Sequence, residues 1–313
     1  MNLAIVHYHL NRGGVARVVE NQLRALDAVL DPADRLRVAL LHGGRKDGWN
    51  DGLGKELQSI DLRLVEVAGL DYDGDDQGHA TRASTLAGSL LDALSQLGFS
   101  PDETVVHFHN HSLGKNAALT ASARELADAG FALLLQIHDF TEDFRPANYR
   151  RLAGLGPDRL YPQAPSIHYA VLNGRDHSVL RSAGFDAERL NLLPNPVPAV
   201  GRLPDRDDAR KKLRAKFDVD PNQRFLLYPV RGIRRKNVGE MLLVGLLSPP
   251  GTIVGLTLAP LNPAELPGYT AWKETAATWN LPCRFEVGGP GALTFAENLA
   301  ASDVLLTTSL AEG

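Results

Sequence analysis

The chain has 313 residues, of which 44% are hydrophobic and 22% are charged, and its formal net charge at pH 7 is −4. Because one hydrophobic core seldom serves so long a chain, we expect two domains. The acidic balance argues against nucleic acid as a partner, and no apolar run reaches the roughly 18 residues that a membrane-crossing helix needs.

The N-terminal segment Met1–Val6 has the pattern of a first β-strand and lacks the basic region and long apolar stretch of a secretory signal. Cys283 is the only cysteine, so the sequence excludes an internal disulfide and a cysteine-based zinc site. Both features fit a reducing compartment, and we expect the protein to be cytoplasmic.

Short apolar segments alternate with helical segments along the first 196 residues, which is the pattern of parallel strands joined by crossover helices. The predicted strands are Leu3–Val6, Arg37–Leu41, Leu62–Val67, Thr104–Phe108, Ala132–Ile137 and His168–Leu172. The predicted helices are Val15–Leu30, Ala83–Leu97 and Ala117–Ala129. The sequence therefore predicts a first Rossmann-like domain over residues 1–196.

A proline-rich segment, Leu192–Pro204, is predicted to link this domain to a second one, because proline interrupts both helices and central strands. A second series of strands and helices follows. Its predicted strands are Phe225–Pro229, Thr252–Leu258, Arg284–Val287 and Val304–Thr307, and its predicted helices are Asp207–Phe217, Val238–Leu247 and Ala271–Trp279. The fold class is thus predicted as α/β, with two Rossmann-like domains over 1–196 and 197–313, the second incomplete.

Two glycines, Gly13 and Gly14, lie between the first strand and the first helix. Glycines at such a turn let backbone N–H groups approach an anion, and the helix N-terminus adds a partial positive charge. The turn is therefore a candidate phosphate loop. The full Gly-x-Gly-x-x-Gly pattern is absent, so an ordinary tight turn is the alternative.

Six histidines lie at or just beyond the carboxyl ends of predicted strands, the edge where parallel sheets bind ligands. They are His7, His9, His107, His109, His111 and His138. We expect them to converge on one cleft. Two readings stay open: His7 and His9 could share a metal ion, and the group around His107 could be buried strand-end residues bonded to the backbone.

His138 and Asp139 end a strongly apolar strand and precede a polar loop, a position suited to contact with a substrate hydroxyl. In the second half, Arg231 follows a predicted strand and Lys236 lies five residues later, before a helix. An arginine can contact a diphosphate in bidentate fashion, and a lysine supplies a point charge. The spacing favours a diphosphate site at Arg231 and Lys236.

In this order, the motifs resemble retaining GT-B glycosyltransferases of family 4, the "glycosyl transferases group 1" type. The stretches that carry the resemblance are Gly13-Gly14-Val15, Ile137-His138-Asp139, Tyr169–Asn173, Leu192–Val197, Val230–Asn237 and Ala301–Gly313. The resemblance implies an acceptor-side domain over 1–196 and a nucleotide-sugar-binding domain over 197–313. The partners it implies are a nucleoside-diphosphate sugar and an unidentified small-molecule, glycan or lipid acceptor.

The resemblance also implies roles for single residues. Gly13 and Gly14 would face the donor phosphates, and Arg231 and Lys236 would neutralise the leaving diphosphate in place of a metal ion. No cofactor is implied beyond the nucleotide sugar itself. The implied mechanism needs no protein nucleophile, because the diphosphate helps to deprotonate the acceptor.

Further implied roles concern the sugar and the base. His138 would contact the donor sugar, and Glu312 would be the first carboxylate of the family's Glu-x7-Glu element beside it. Glu286, in the segment expected to contact the donor base, is a donor-binding candidate. His109 and Asp139 are candidate contacts of the acceptor or the sugar.

The chain departs from the family pattern in three places. It has Pro194-Asn195-Pro196 where the family usually has Pro-Asn-Gly, its loop from Arg231 to Lys236 is more basic than usual, and it stops at Glu312-Gly313, before the second glutamate. We therefore expect a C-terminally truncated chain with weak or no activity. The alternatives are a catalytically inactive GT-B-like sugar-binding protein and a metal-dependent hydrolase that uses His7 and His9.

Overall fold

Two parallel β-sheets organise the chain, one in each of two units, Met1–Pro198 and Ala199–Glu312. The computed structural model describes all residues except 12, 32, 74–78, 144, 199–200 and 311–313, together with the side chains of residues 79–81. The division between the units falls two residues after the predicted one, which lay between residues 196 and 197.

The first unit contains seven strands in the order β3-β2-β1-β4-β5-β6-β7, and all neighbouring strands are parallel. The strands are β1 Asn2–Val6, β2 Leu36–His42, β3 Ile60–Glu66, β4 Thr104–His109, β5 Ala132–Ile137, β6 Ile167–Val171 and β7 Leu190–Leu192. The helices are α1 Gly14–Val29, α2 Leu53–Glu56, α3 His79–Gln96, α4 Ala117–Asp128, α5 Pro146–Leu152, α6 Pro157–Leu160 and α7 Gly174–Ser182. Because the strands are parallel, their carboxyl ends and the loops that follow them meet at one edge.

Helices cover both faces of this sheet, and for this reason its central strands are apolar on both sides. On one face, Val6 and Phe108 pack against residues of α3 and α4, such as Leu90. On the other face, Ile5 packs against residues of α1, such as Leu23. Burial of these side chains fixes the register of β1 against β4, in which Ile5 lies opposite His107.

The second unit contains four parallel strands in the order β10-β9-β8-β11. The strands are β8 Arg224–Arg231, β9 Thr252–Leu258, β10 Cys283–Phe285 and β11 Val304–Leu305. The helices are α8 Arg206–Phe217, α9 Val238–Leu247, α10 Leu266–Thr278 and α11 Phe295–Ala301. The N-terminus of α11 has a capping box, in which Thr294 and Glu297 bond to each other's backbone N–H groups.

One ion pair, between the buried Arg210 and the more exposed Asp303, joins α8 to the loop before β11. The Arg210 guanidinium, in a residue only 4% exposed, lies 2.5 Å from Asp303 Oδ2 and also donates to Gln223 O at 2.7 Å. The same carboxylate accepts a hydrogen bond of 2.7 Å from the Phe225 N–H. Arg210 therefore turns its guanidinium away from solvent although it lies in a basic helix, because Asp303 and Gln223 supply acceptors for it.

The α/β class with two Rossmann-like units is confirmed, and the central strands lie where the apolar runs predict them. The assignment of Leu192 to the linker is wrong, because Leu192 pairs with Val171 as the last residue of β7. The helices α2, α5, α6, α7 and α11 were not predicted. Of the helices described here, none combines the length and the apolar character needed to cross a membrane.

Candidate functional site

The turn between β1 and α1 has the geometry of an anion-binding loop. Gly13 is the N-cap of α1 in an extended conformation, with φ −169° and ψ 177°, and no side chain caps the first N–H groups of the helix. A Cβ atom placed on Gly14 would meet nothing within 4 Å, so packing does not explain that glycine. The first turn of α1 therefore presents backbone donors at the carboxyl edge of the sheet.

The histidine rings at this edge form a continuous set of contacts. The His7 ring centroid lies 5.8 Å from that of His9 and 6.2 Å from that of His109. The His109 ring lies 4.2 Å from His107 and is stacked on His138 at 5.1 Å. Five of the six histidines of the sequence analysis thus lie together.

His111 points elsewhere, although it follows the same strand. Its ring packs near Tyr161 and Tyr169, and its Nε2 lies 3.1 Å from Leu160 O. The intervening Asn110 has a φ of +58°, which breaks the alternation of β4 and turns His111 away from the other rings. For His111, the reading as a buried residue bonded to the backbone fits the structure.

A hydrogen bond joins His109 to His138, with 2.8 Å between His109 Nδ1 and His138 Nε2. His109 Nε2 is buried and has no partner in the described part of the chain. Because a buried N–H without a partner costs more than a buried lone pair without one, we assign the shared proton to His109 Nδ1. His138 Nε2 is then the acceptor, and the proton of His138 is on Nδ1.

Gln136 supports the cluster from β5. Its Oε1 accepts hydrogen bonds from His107 Nε2 at 3.0 Å and from Gln22 Nε2 at 2.9 Å. The Gln136 side chain is fully buried. A single glutamine in the apolar run Leu133–Ile137 is the sequence signal that could have identified it, since a buried amide needs partners.

Asn110 supports the cluster from the other side. Its Oδ1 accepts hydrogen bonds from the N–H groups of His138, at 2.7 Å, and Asp139, at 3.1 Å, while its carbonyl accepts one from Tyr8 OH at 2.6 Å. Asp139 also pairs with Arg145, with Asp139 Oδ1 2.7 Å from Nη2. The hydrogen bonds to Asn110 and the ion pair with Arg145 thus hold the turn that carries the candidate residues His138 and Asp139 in place.

Burial keeps the histidines of the cluster neutral. It lowers the pKa of His7 to about 3 and the pKa values of His107 and His138 to about 4. The pKa of His109 is lowered by burial first and then by the neighbouring histidines. Neutral rings can donate and accept hydrogen bonds, but they carry no charge to balance an anion near pH 7.

The pair His7 and His9 does not form a metal centre with neighbours. His7 Nδ1 lies 3.3 Å from His109 O, and across the described residues no group of three or more histidine, cysteine, aspartate or glutamate side chains is arranged to hold a metal ion. A hydrolytic metal site requires at least such a group. The geometry gives the metal-dependent hydrolase reading no support.

In the second unit, Arg231 ends β8, and Lys236 ends a single 3-10 turn before α9. Lys236 is buried, with 9% of its surface exposed. Its carbonyl oxygen accepts hydrogen bonds from Tyr228 OH at 2.9 Å and from Thr308 Oγ1 at 3.1 Å. These bonds fix the turn that carries Lys236. Arg231, at the end of β8, and Lys236 thus both lie at the carboxyl edge of the second sheet.

Glu286 follows β10 at the same edge and has a φ of +63°. Its Oε1 accepts hydrogen bonds from Lys273 Nζ at 2.8 Å and from Tyr269 OH at 3.0 Å. The hydrogen bond from Lys273 is the main cause of a lowered pKa of Glu286. A non-glycine residue in this region of φ stores backbone strain, as residues at functional sites often do. The candidate Glu312 lies outside the described residues.

No family model matches the chain. Over its whole length the chain is similar to the mannosylglucosyl-3-phosphoglycerate synthase of Petrotoga mobilis, with 29% identity over 319 aligned positions. The alignment covers 100% of this chain and 61% of that protein, so the chain spans less than two thirds of the relative's length.

Solved structures are similar in fold over nearly the whole chain. Anabaena HepE in complex with UDP-glucose has a TM-score of 0.64 at 14% identity, covering 99% of this chain and 74% of HepE. The catalytic domain of starch synthase IV from Arabidopsis thaliana, bound to ADP and acarbose, has a TM-score of 0.58 at 12% identity, covering 99% of this chain and 78% of that domain. The chain therefore has the GT-B fold.

Proposed function

We propose that the chain is the sugar-transferring part of a retaining glycosyltransferase of the family 4 type, which uses a nucleoside-diphosphate sugar and needs no metal ion. The observation that carries the proposal is the pair of cations after β8, Arg231 and the buried Lys236, in a chain with the GT-B fold. A diphosphate leaving group carries several negative charges, and two fixed cations stabilise them as the glycosidic bond breaks.

In this mechanism, the donor-binding set is Gly13, Gly14, Arg231, Lys236 and Glu286. The uncapped first turn of α1 supports phosphate binding, since no side chain of the described residues caps its N–H groups. Arg231 and Lys236 take the place that a metal ion has in other transferases. The strained backbone of Glu286, at the carboxyl edge of the second sheet, supports its assignment to the donor base.

At the sugar, His138 provides a neutral hydrogen-bonding group, with Asp139 and His109 beside it and Glu312 as the carboxylate implied by the family pattern. The lowered pKa of His138, about 4, supports a role in orientation and charge distribution rather than in proton transfer at neutral pH. We assign no protein nucleophile, and a diphosphate oxygen is the proposed base for the acceptor hydroxyl.

Comparisons support a sugar nucleotide as the donor. HepE was solved with UDP-glucose, and the relative from Petrotoga mobilis is named as a synthase that makes a mannosylated glycoside.

The test is calorimetric titration of the chain with UDP, GDP and ADP in the presence of EDTA. We expect one nucleotide to bind without metal, and to bind at least about tenfold more weakly to Arg231→Gln and Lys236→Met, since each loses a charge-assisted contact. Lys211→Met is the matched control, because Lys211 is exposed on α8 and pairs only with nearby Asp208 among the described carboxylates.

Incubation of the preferred donor sugar with the chain then separates the two remaining functions. If NMR shows that sugar is released with its anomeric configuration retained, the transferase is supported. Tight binding without turnover supports the alternative of an inactive sugar-binding protein. Absence of binding by every nucleotide, or binding that requires a divalent ion, would refute the proposal.

A further inference from the structure

Cations gather around one tyrosine at the carboxyl edge of the first sheet. The Arg45 guanidinium carbon lies 5.1 Å from the centre of the Tyr72 ring, and Lys115 Nζ lies 5.3 Å from it. The His9 ring packs edge-on against the same tyrosine, with 4.7 Å between the centroids. Tyr72 is 42% exposed, so this group faces solvent rather than the core.

The loops that carry these side chains are bonded to each other. Asn116 Nδ2 donates to the carbonyl oxygens of Gly69 and Asp71, each at 2.7 Å, and the Asp73 N–H donates to Lys115 O at 3.0 Å. The loop after β3 is therefore tied to the start of α4. The backbones of Tyr72 and Lys115 are positioned before any ligand binds, which lowers the entropic cost of binding.

Three of the nearby cations have a carboxylate partner, among them Arg151, which pairs with Asp73. Arg45 makes a bidentate pair with Asp71, with both contacts at 2.5 Å, and Arg145 pairs with Asp139 at 2.7 Å. Lys115 differs: its ammonium has no carboxylate within ion-pair distance in the described part of the chain. This group therefore carries one more positive charge than its paired carboxylates balance.

The surroundings of Lys115 are unfavourable for an isolated charge. Burial lowers the pKa of Lys115, and the positive charges of Arg145 and Arg151 lower it further. An ammonium group that is half-buried among other cations gains free energy when an anion binds next to it. Among the described residues, no carboxylate balances the charge of Lys115, so a bound anion would stabilise it.

The group lies at the same carboxyl edge of the first sheet as the sugar-site candidates. Ring contacts run without a break from Tyr72 through His9, His7 and His109 to His138, with neighbouring centroids 4.7 to 6.2 Å apart. A cavity of about 450 Å³ shares Tyr72 with the group, a size within the usual range of small-molecule sites. An anion bound by this group would therefore lie at the sheet edge that also carries His138.

We propose that Lys115, with Arg45 and Arg145, binds the phosphate ester of an acidic acceptor substrate. The inference rests on the proposed function, since it treats the first unit as the acceptor side. A phosphate monoester carries between one and two negative charges near pH 7 and offers three terminal oxygens, so it can contact several cations at once. A monocarboxylate, with one charge and a planar pair of oxygens, matches this arrangement less well.

Calorimetric titration with glycerol 3-phosphate tests the proposal. We expect saturable binding that is at least about tenfold weaker in Lys115→Met, a change that retains the aliphatic stem on Tyr72 but removes the charge. The control is Lys55→Met, which removes the same charge from an exposed position on α2. Equal binding by Lys115→Met and the control, or no binding by the unaltered chain, would overturn the proposal.

Two further ligands distinguish the source of the anion. If inorganic phosphate binds and glycerol 3-phosphate does not, the site is not an acceptor site. If glycerate binds as tightly as glycerol 3-phosphate, the phosphate assignment is wrong. Parallel titrations with UDP and GDP separate this proposal from the proposed donor site. If the chain binds a nucleotide but not glycerol 3-phosphate, only the acceptor-site proposal fails. If it binds glycerol 3-phosphate but no nucleotide, only the proposed donor chemistry fails.

A measurement on the unsubstituted chain covers the case in which Lys115→Met fails to fold. Brief acetylation, followed by mass spectrometry, reports how reactive each lysine is. Because only the unprotonated amine reacts, a bound phosphate ester should protect Lys115 and leave Lys55 unchanged. Equal acetylation of Lys115 with and without glycerol 3-phosphate would contradict the proposal.

Discussion

The stacked rings of His109 and His138 share a hydrogen bond of 2.8 Å between Nδ1 and Nε2, respectively. This bond fixes which nitrogen of His138 carries a proton, because the other ring nitrogen of His109, Nε2, has no partner among the described residues and the proton of His109 is therefore on Nδ1. His109 thus sets the orientation and the tautomer of His138, the sugar-site candidate.

The first prediction concerns this tautomer. In His109→Phe, the ring stack is retained but His138 Nε2 loses its donor, so we expect His138 to shift toward the Nε2–H form that is common in free imidazole. Long-range ¹H–¹⁵N NMR of the histidine rings measures the change directly. His111→Gln is the control, since His111 lies outside the ring cluster. An unchanged His138 spectrum in His109→Phe would refute the tautomer assignment.

Acid should destabilise the first unit through its buried histidines. Burial lowers the pKa of His111 to about 4, below the value of about 6.5 in an unfolded chain. Between these values the unfolded state binds a proton that the folded state does not, so stability is highest above pH 6.5 and falls as the pH decreases toward 4. Each such histidine lowers the unfolding free energy by up to about 1.4 kcal/mol for each pH unit of acidification in this range.

His111→Gln isolates one of these contributions. We expect the unfolding free energy of this variant to fall less steeply between pH 6.5 and pH 4 than that of the unaltered chain. The number of protons taken up on unfolding should be smaller by up to about one, whatever the absolute stability of the variant. Urea unfolding followed by the fluorescence of buried Trp49, with Trp272 and Trp279 replaced by phenylalanine, reports the first unit alone. Parallel curves for the two chains would show that His111 is not buried in its neutral form.

Two aspartates that pair with cations of α8 test the contribution of the buried Arg210 to the stability of the second unit. Asp303→Asn leaves the buried Arg210 without its charged partner, and we expect a loss of about 2–4 kcal/mol. Asp208→Asn removes an exposed partner of Lys211 and should change stability by less than about 0.5 kcal/mol. Chemical unfolding followed by circular dichroism measures both, and equal effects would contradict the burial of the Arg210 side chain.

The backbone of Glu286 gives a prediction about strain. Glu286→Ala and Glu286→Gly both remove the carboxylate that Lys273 and Tyr269 contact, so the difference between them reports the backbone alone. Because glycine tolerates a φ of +63° and alanine does not, we expect the glycine variant to be more stable by about 1 kcal/mol. Thermal unfolding of the two variants decides this, and greater stability of the alanine variant would exclude strain.

The central strands could be predicted from the sequence because burial on both faces leaves a continuous apolar run. Ala132–Ile137 and Thr252–Leu258 were predicted with the boundaries that the structure has. Strand β7, Leu190–Leu192, was missed, since it is three residues long at the edge of a sheet and exposes two of its side chains. Its short pattern resembles that of the linker that follows.

The candidate site could be predicted as a location but not as a set of contacts. Strand ends place His109 and His138 at one edge, whereas their hydrogen bond depends on the register between β4 and β5. The prediction that His111 lies with the other histidines was wrong, because the neighbouring sequence does not indicate the positive φ of Asn110. Lys115 was missed because its unbalanced charge arises only from the fold.

The order of the strands in the first sheet has a consequence for synthesis of the chain. Strand β1 lies between β2 and β4, and β2 and β3 extend one side before β4 to β7 extend the other in sequence order. No strand has to enter between two that are already paired. Each newly translated strand can therefore dock on an existing edge as it leaves the ribosome, at about 5–20 residues per second. Sheet growth during translation would cover each unpaired edge soon after it forms and so limit aggregation.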